Sequence, residues 1–78
     1  MDAGTKIIKI GGHRAVVTYS ARGYVTVTCA EHAVLRELSA EVKRSVEHDA
    51  AAWEAAIGRL EVAAIKEMRR QIRASRKS

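Results

Sequence analysis

Residues 29–74, CAEHAVLRELSAEVKRSVEHDAAAWEAAIGRLEVAAIKEMRRQIRA, decide how this chain folds. Apolar side chains recur in this stretch at every third or fourth position, which is the spacing of one face of a helix. The chain contains no proline that would interrupt such a helix. The pattern therefore predicts a helical segment over residues 29–74. Its apolar stripe consists of Leu35, Leu38, Val42, Val46, Ala50, Trp53, Ile57, Leu60, Ala64 and Met68.

The start of this segment has the sequence of a helix cap. Thr28 is followed three residues later by Glu31, and this spacing matches a capping box. Two places could interrupt the helix: the pair His48-Asp49 contains a residue that can cap, and Gly58 costs about 1 kcal/mol relative to alanine. Because the apolar spacing continues through both, we expect one long helix, which could be bent near Gly58 or broken, with a helical hairpin as the alternative.

The residues before the helical segment form three runs that favour β-structure. The runs are rich in β-branched residues, and they are separated by Gly11-Gly12 and by residues 21–23, both of which suit tight turns. The sequence therefore predicts a three-stranded antiparallel β-meander over residues 6–28. We place its strands at Lys6–Ile10, His13–Ser20 and Tyr24–Thr28.

The predicted pairing sorts the strand residues onto two faces of the sheet. If each turn is tight, Ile7 lies opposite Val16, and Val16 lies opposite Val27. One face then carries Ile7, Val16, Val25 and Val27, and we expect the helix to cover it. The other face carries Ile8, Ile10, Ala15, Val17, Tyr19 and Tyr24. Because a three-stranded sheet usually exposes one polar side to water, the second apolar face suggests that something covers it too.

These elements give an α+β fold, ββαα-like in outline, with residues 1–78 as a single domain and 75–78 as a frayed tail. Thirty-five helical residues already span about 50 Å, so the remainder of a chain of 78 residues is too small to bury the stripe. We therefore expect a homodimer. The residues expected in the core or dimer interface are Leu35, Leu38, Val42, Val46, Trp53, Ile57, Leu60 and Met68.

Composition limits the classes of protein that the chain can belong to. A single cysteine excludes an internal disulfide and favours a reducing compartment. The first residues lack the apolar core of a signal peptide, and no stretch has transmembrane length. We therefore expect a cytoplasmic protein. The net charge is +5, with basic ends and an acidic middle, and this uneven distribution weakens an argument for nucleic acid from total charge alone.

The residues that carry catalytic or metal chemistry do not form a recognisable motif. Cys29 and His32 could reach one metal ion, but structural zinc requires four such ligands and nothing nearby supplies the other two. The three histidines lie in different predicted elements, and Cys29 has no fixed partner base. We expect no catalytic residues, no metal and no cofactor, and so a protein that is not an enzyme.

Two surface features are candidates for binding. The first is the basic C-terminal segment, which would complement the helix dipole, or would contact nucleic-acid phosphate or an acidic protein surface. Its members are Lys66, Arg69, Arg70, Arg73, Arg76 and Lys77. The second is the tip of the second hairpin, where Tyr19 and Tyr24 pair across the turn and Arg22 lies at its apex. Tyrosine and arginine often dominate binding energy, although a cross-strand pair also shields a sheet.

In size and in its few elements, the chain resembles the tiny phage-encoded inhibitors of bacterial systems, such as anti-CRISPR proteins. The resemblance implies a non-enzymatic inhibitor that blocks a bacterial protein or nucleoprotein complex, such as a CRISPR effector, by surface binding in the host cytoplasm. A basic dimeric DNA- or RNA-binding protein is one alternative. A structural or assembly subunit is another.

Overall fold

The computed structural model describes residues 4–76, with the side chains of residues 4–75. Four strands form one antiparallel sheet in the order β1-β2-β3-β4, and two helices follow. The chain is therefore α+β, with one strand more than the sequence predicted. The elements are β1 Gly4–Ile10, β2 His13–Tyr19, β3 Tyr24–Cys29, β4 His32–Glu37, α1 Ala40–Val46 and α2 Ala50–Arg76.

The first predicted hairpin is confirmed, whereas the register of the second is wrong by one residue. Ile7 lies opposite Val16 as expected, but the partner of Val27 is Val17. The cause is the turn over residues 20–23, in which Gly23 has φ +95° and donates its N–H to the carbonyl of Ser20 at 3.1 Å. As a result, Tyr19 pairs with Val25, whereas the sequence predicts that Tyr19 pairs with Tyr24.

The predicted start of the helix is wrong, because residues 32–37 form the fourth strand. Val27 pairs with Val34, and Thr28 lies within β3 instead of capping a helix. The turn between β3 and β4 places Ala30 at φ +54°, a conformation that non-glycine residues adopt uncommonly. Pairing with β3 therefore overrides the helical spacing of this segment. The first helix begins only at Ala40.

Two side chains mark where the helices begin, and they show why one long helix is wrong. Ser39 caps α1 by accepting a hydrogen bond from the Val42 N–H at 3.2 Å. Asp49 Oδ1 accepts from the Ala52 N–H at 3.1 Å and so starts α2. The interruption therefore falls at His48-Asp49, and α2 runs through Gly58. The predicted frayed tail differs at Ser75 and Arg76, which are helical, while residues 77–78 lie outside the described residues.

α2 buries its apolar stripe against the sheet of its own chain. At about 1.5 Å per residue its 27 residues span about 40 Å, and it packs mainly on β4 and β3. The argument for a homodimer from an unburied helix stripe therefore does not hold. The buried core comprises Ile10, Ala15, Val17, Val25, Val27, Cys29, Val34, Leu38, Val46, Ala56, Ile57, Ala64, Met68 and Ile72.

The predicted stripe separates into buried and exposed members. Leu38, Val46, Ile57 and Met68 are buried, and Trp53 and Leu60 are partly buried against the core. Val42 is 37% exposed and Leu35, on β4, is 62% exposed. No helix in the described part of the chain is long and apolar enough to cross a membrane.

Candidate binding surfaces

The sheet has a covered face beneath α2 and an open face that no described element covers. Alternation along the strands places Ile7 and Val16 on the open face, opposite to the prediction that the helix covers them. Ile7 and Leu35 are each 62% exposed there. The members of the open face are Thr5, Ile7, Lys9, Arg14, Val16, Thr18, Tyr24, Thr26, Thr28, Ala33, Leu35 and Glu37.

The centre of the open face consists mostly of β-branched residues. One cross-strand row contains Ile7, Val16, Thr28 and Ala33. The next row consists of threonines on the first three strands and ends at Leu35 on β4. β-branched side chains have restricted χ1 rotamers, so they lose little conformational freedom when a partner binds.

The two ends of the open face differ in charge. At one end Lys9 lies directly opposite Arg14, and both side chains are exposed. At the other end Tyr24 lies opposite Glu37. There Lys43 Nζ lies 2.8 Å from Glu37 Oε1 and 5.3 Å from the centroid of the Tyr24 ring. The first end is therefore basic, and the second is neutralised by an ion pair.

Part of the predicted basic segment joins this basic end. Arg69 and Arg73 line a shallow cleft with Ile10 and Gly11, at the turn between β1 and β2. Lys9 precedes this turn on the open face of the sheet, while the two arginines approach it from the helix side. We call the set Lys9, Arg14, Arg69 and Arg73 the basic pole. Within the described side chains, none of the four has an ion-pair partner.

The other predicted basic residues lie elsewhere. Lys66 and Arg70 line a different cleft along α2, with Arg36 of β4. Arg70 there forms an ion pair with Glu67. The backbone of Arg76 is helical, and its side chain lies outside the described residues, as does the whole of Lys77. The segment therefore divides between two surfaces.

The predicted aromatic pair at the second hairpin is wrong, because Tyr19 and Tyr24 lie on opposite faces of the sheet. Tyr24 belongs to the open face. Tyr19 is half-buried on the covered face, and its hydroxyl donates a hydrogen bond to Glu61 of α2. Arg22 is exposed in the turn, where its N–H donates to Ser20 Oγ at 3.1 Å. The three residues therefore do not form one site.

Tyr19 instead belongs to a polar cluster that ties the edge of the sheet to α2. Lys6 Nζ lies 3.0 Å from Glu61 Oε1 and 5.8 Å from the centroid of the Tyr19 ring. The pKa of Tyr19 is raised, chiefly because burial disfavours the phenolate and also because the phenol donates to Glu61. The pKa of Lys6 is raised by the Tyr19 hydroxyl and then by Glu61. The cluster thus favours the neutral phenol and the charged ammonium.

The histidines and the cysteine of the described chain do not form a cluster of metal ligands. His13 and His32 line one cleft with Ile72 of α2, while His48 lies near Trp53 at the opposite end of the sheet. Cys29 is buried and unpaired. Among the described residues, no group of three or more histidine, cysteine or acidic side chains is placed to hold a metal ion.

Lys9 and Arg14 are the binding candidates that sequence reasoning missed. The signal was present, since a two-residue turn at Gly11-Gly12 places position 9 opposite position 14. The sequence does not indicate Arg36 as a candidate, because the spacing of apolar residues in 32–37 predicts a helix instead of a strand.

Comparison with known proteins provides no relative: no family model, no curated protein and no solved structure matches this chain. The function of the chain is therefore inferred from its own surfaces.

Proposed function

We propose that this chain is a small non-enzymatic binding protein that attaches to a partner protein through the open face of its sheet. The observation that carries the proposal is the exposure of Ile7 and Leu35, each 62% accessible, on a sheet whose other face is packed against α2. An antiparallel sheet with one face in water normally alternates apolar and polar residues. Here the water-facing side carries exposed Ile7 on β1 and Leu35 on β4, at the two edges of the sheet, with Val16 between them on β2.

Burial of the exposed aliphatic side chains on this face would contribute to the affinity for a partner. Complete burial of an isoleucine or leucine side chain contributes about 1.5–3 kcal/mol, and each factor of ten in affinity corresponds to about 1.4 kcal/mol. Because each side chain is 62% exposed before binding, Ile7 and Leu35 together account for roughly 20- to 500-fold in affinity. The surrounding threonines are short and rotamer-restricted, so ordering them on binding costs little entropy.

In its more specific form, the proposal is that the chain is a phage-type inhibitor, similar to anti-CRISPR proteins, acting in the host cytoplasm. A sheet face of short, β-branched side chains on a domain of 78 residues suits a protein that blocks a surface of a bacterial protein or nucleoprotein complex. The net charge of +5 argues against mimicry of DNA, so the inhibition would proceed by direct attachment to a protein surface.

A pull-down of the full chain from bacterial lysate tests the binding proposal. The double variant Ile7→Thr/Leu35→Thr gives the two positions the residue that already surrounds them, so the sheet is retained. We expect this variant to lose the partner that the wild type recovers. Val62→Thr is the matched control, because Val62 is 52% exposed on α2, away from the sheet. Equal recovery by the double variant and the control would contradict the proposal.

The inhibitor form has its own test in cells. Bacterial strains that each carry one type of CRISPR system are challenged with a phage that the system targets. We expect the wild-type chain to restore phage plating in one such strain, and Ile7→Thr/Leu35→Thr to restore it poorly. If the chain is expressed and plating is restored in none of them, the anti-CRISPR form is wrong, while the binding proposal is judged by the pull-down alone.

The homodimer expected from the sequence remains a proposal that competes for the same face. Two copies that pack by their open faces would bury Ile7 and Leu35 against each other, and each would leave no apolar sheet face for another protein. Light scattering on the wild type and on Ile7→Thr/Leu35→Thr distinguishes the two cases. A wild-type dimer that becomes a monomer in the variant would assign the face to self-association.

A further inference from the structure

The like charges of the basic pole at the β1–β2 turn destabilise the fold. No contact among the described residues offsets this repulsion. Lys9 and Arg14 lie directly opposite each other on adjacent strands, and like charges in that position destabilise a sheet. Arg69 and Arg73 lie one turn apart on α2, where like charges also repel. No acidic side chain of the described residues pairs with any of these four cations.

From this arrangement we propose that the basic pole binds the phosphate backbone of double-stranded nucleic acid. A polyanion relieves both like-charge contacts at once, because its phosphates bring negative charge to each pair. The turn residues between the two pairs are Gly11 and Gly12, which carry no side chain that would keep a phosphate backbone away from the cations. This proposal is independent of the open face's protein partner.

The positions of the aromatic residues favour a duplex over a single strand. Proteins that hold single strands combine basic grooves with aromatic side chains on which bases stack. In the described chain the aromatic residues Tyr19, Tyr24 and Trp53 lie towards the β2–β3 turn, at the other end of the sheet from the pole. The pole therefore offers charge without a tyrosine or tryptophan on which bases could stack, which suits contact with backbone phosphates.

The dependence of binding on salt gives the expected magnitude. Each phosphate contact contributes about −0.9 to the slope of log affinity against log salt for duplex DNA. Four contacts predict a slope of about −3.6, so affinity falls about 150-fold between roughly 50 and 200 mM salt. Removing two contacts halves the slope and lowers the affinity at roughly 100 mM salt by about 60-fold.

Fluorescence anisotropy with a labelled DNA duplex of about 20 base pairs and the full chain tests the proposal. The test variants are Lys9→Gln/Arg14→Gln and Arg69→Gln/Arg73→Gln. The matched control is Arg22→Gln/Arg44→Gln, which removes two positive charges from exposed residues in the β2–β3 turn and in α1. We expect each pole variant to bind about 60-fold more weakly and the control to bind within a few-fold of the wild type.

Folding is checked on the same variants, and it provides a second readout. Because each pole variant removes a like-charge contact, its unfolding midpoint should equal or exceed that of the wild type. A clear loss of stability in both pole variants would show that the four cations serve the fold, and this would overturn the proposal.

Binding measurements with other polyanions distinguish recognition of a duplex backbone from binding to any negatively charged polymer. Similar affinity for duplex RNA supports recognition of phosphate backbones in general, and preference for duplex DNA supports a DNA ligand. Tighter binding to single-stranded poly-dT, or to polyglutamate at equal charge concentration, would overturn the assignment to a duplex. A control variant that weakens binding as much as the pole variants, or a wild type that does not bind at about 50 mM salt, would also overturn it.

Discussion

Replacing Gly23 with alanine adds one methyl group at the place where the sheet packs against both helices, and so tests that packing. Its φ of +95° is unfavourable for any residue with a Cβ, and its carbonyl accepts a hydrogen bond from the Leu38 N–H at 2.9 Å. A Cβ at this position would lie 3.0 Å from Lys43 Cε, 3.4 Å from Trp53 Cη2 and 3.5 Å from Leu38 Cδ1. Gly23→Ala therefore combines a backbone cost with a steric one.

The two costs can be worked out separately. The positive φ costs alanine about 1–2 kcal/mol. The steric cost arises at Lys43, whose Cε must move away while its ammonium group is held by Glu37 at 2.8 Å and lies 5.3 Å from the Tyr24 ring centroid. Losing the ion pair costs about 0–1 kcal/mol, and losing the cation–π contact costs about 0.5–1 kcal/mol. We expect Gly23→Ala to lower the free energy of unfolding by about 1.5–4 kcal/mol in total.

Gly12→Ala is the matched control, because Gly12 has φ +83° and a Cβ there meets nothing within 4 Å. It should show the backbone cost alone, about 1–2 kcal/mol. Urea denaturation followed by circular dichroism measures the free energy of unfolding of both variants. In a thermal melt, each kcal/mol of lost stability lowers the melting temperature of a domain this size by about 4–8 °C. Fluorescence of Trp53 should change in the folded Gly23 variant only. Equal destabilisation by the two variants would refute the packing assigned to Lys43 and Trp53.

Three further outcomes are expected for the helices and the sheet edge. Gly58→Ala should raise the free energy of unfolding by about 0.5–1 kcal/mol. The reason is that Gly58 is exposed within α2 and an added Cβ would meet no atom within 4 Å. No gain in a urea titration would contradict this expectation. Asp49→Ala should lower it by about 0.5–2 kcal/mol because the Ala52 N–H loses its acceptor, and Asp49→Asn should restore most of the loss. Stability should also decline as the pH rises above about 10, because the folded-state pKa values of Tyr19 and Lys6 are both raised. Their contributions are complete below the unfolded pKa values and are lost as the pH passes the folded ones. Tyr19→Phe should make this decline shallower in an alkaline titration followed by circular dichroism.

The first three strands could be predicted because their signals are local. Gly11-Gly12 fixes a two-residue turn, and this turn determined the pairing of Ile7 with Val16 correctly. The second turn contains Gly23 as well, but the number of residues that it takes up depends on a backbone hydrogen bond to Ser20 that composition does not reveal. A shift by one residue exchanges the faces of a strand. That is why the covered face was assigned incorrectly.

The fourth strand could not be predicted because residues 32–37 satisfy two patterns at once. Helical spacing connects Leu35 to Leu38, whereas alternation places Val34 inside and Leu35 outside. The decision depends on β3, which offers Val34 a partner at Val27 across the sheet, and β-structure is favoured by such neighbours more than by intrinsic preference. Ser39 then starts α1 by capping it. The capping residue was visible in the sequence, but the partner strand was not.

This one element decides where a binding surface can exist. If residues 32–37 were helical, Leu35 would belong to a buried stripe and its substitution by threonine would create a cavity, at about 2–5 kcal/mol for a large-to-small change in a core. As part of β4, Leu35 is 62% exposed, and the same substitution should leave the free energy of unfolding almost unchanged. Leu38, which is 7% exposed, should show the full core cost when replaced by alanine. If a partner binds the open face as proposed, Leu35→Thr should reduce partner binding without reducing stability, and a large loss of stability in that variant would remove the basis for the open face.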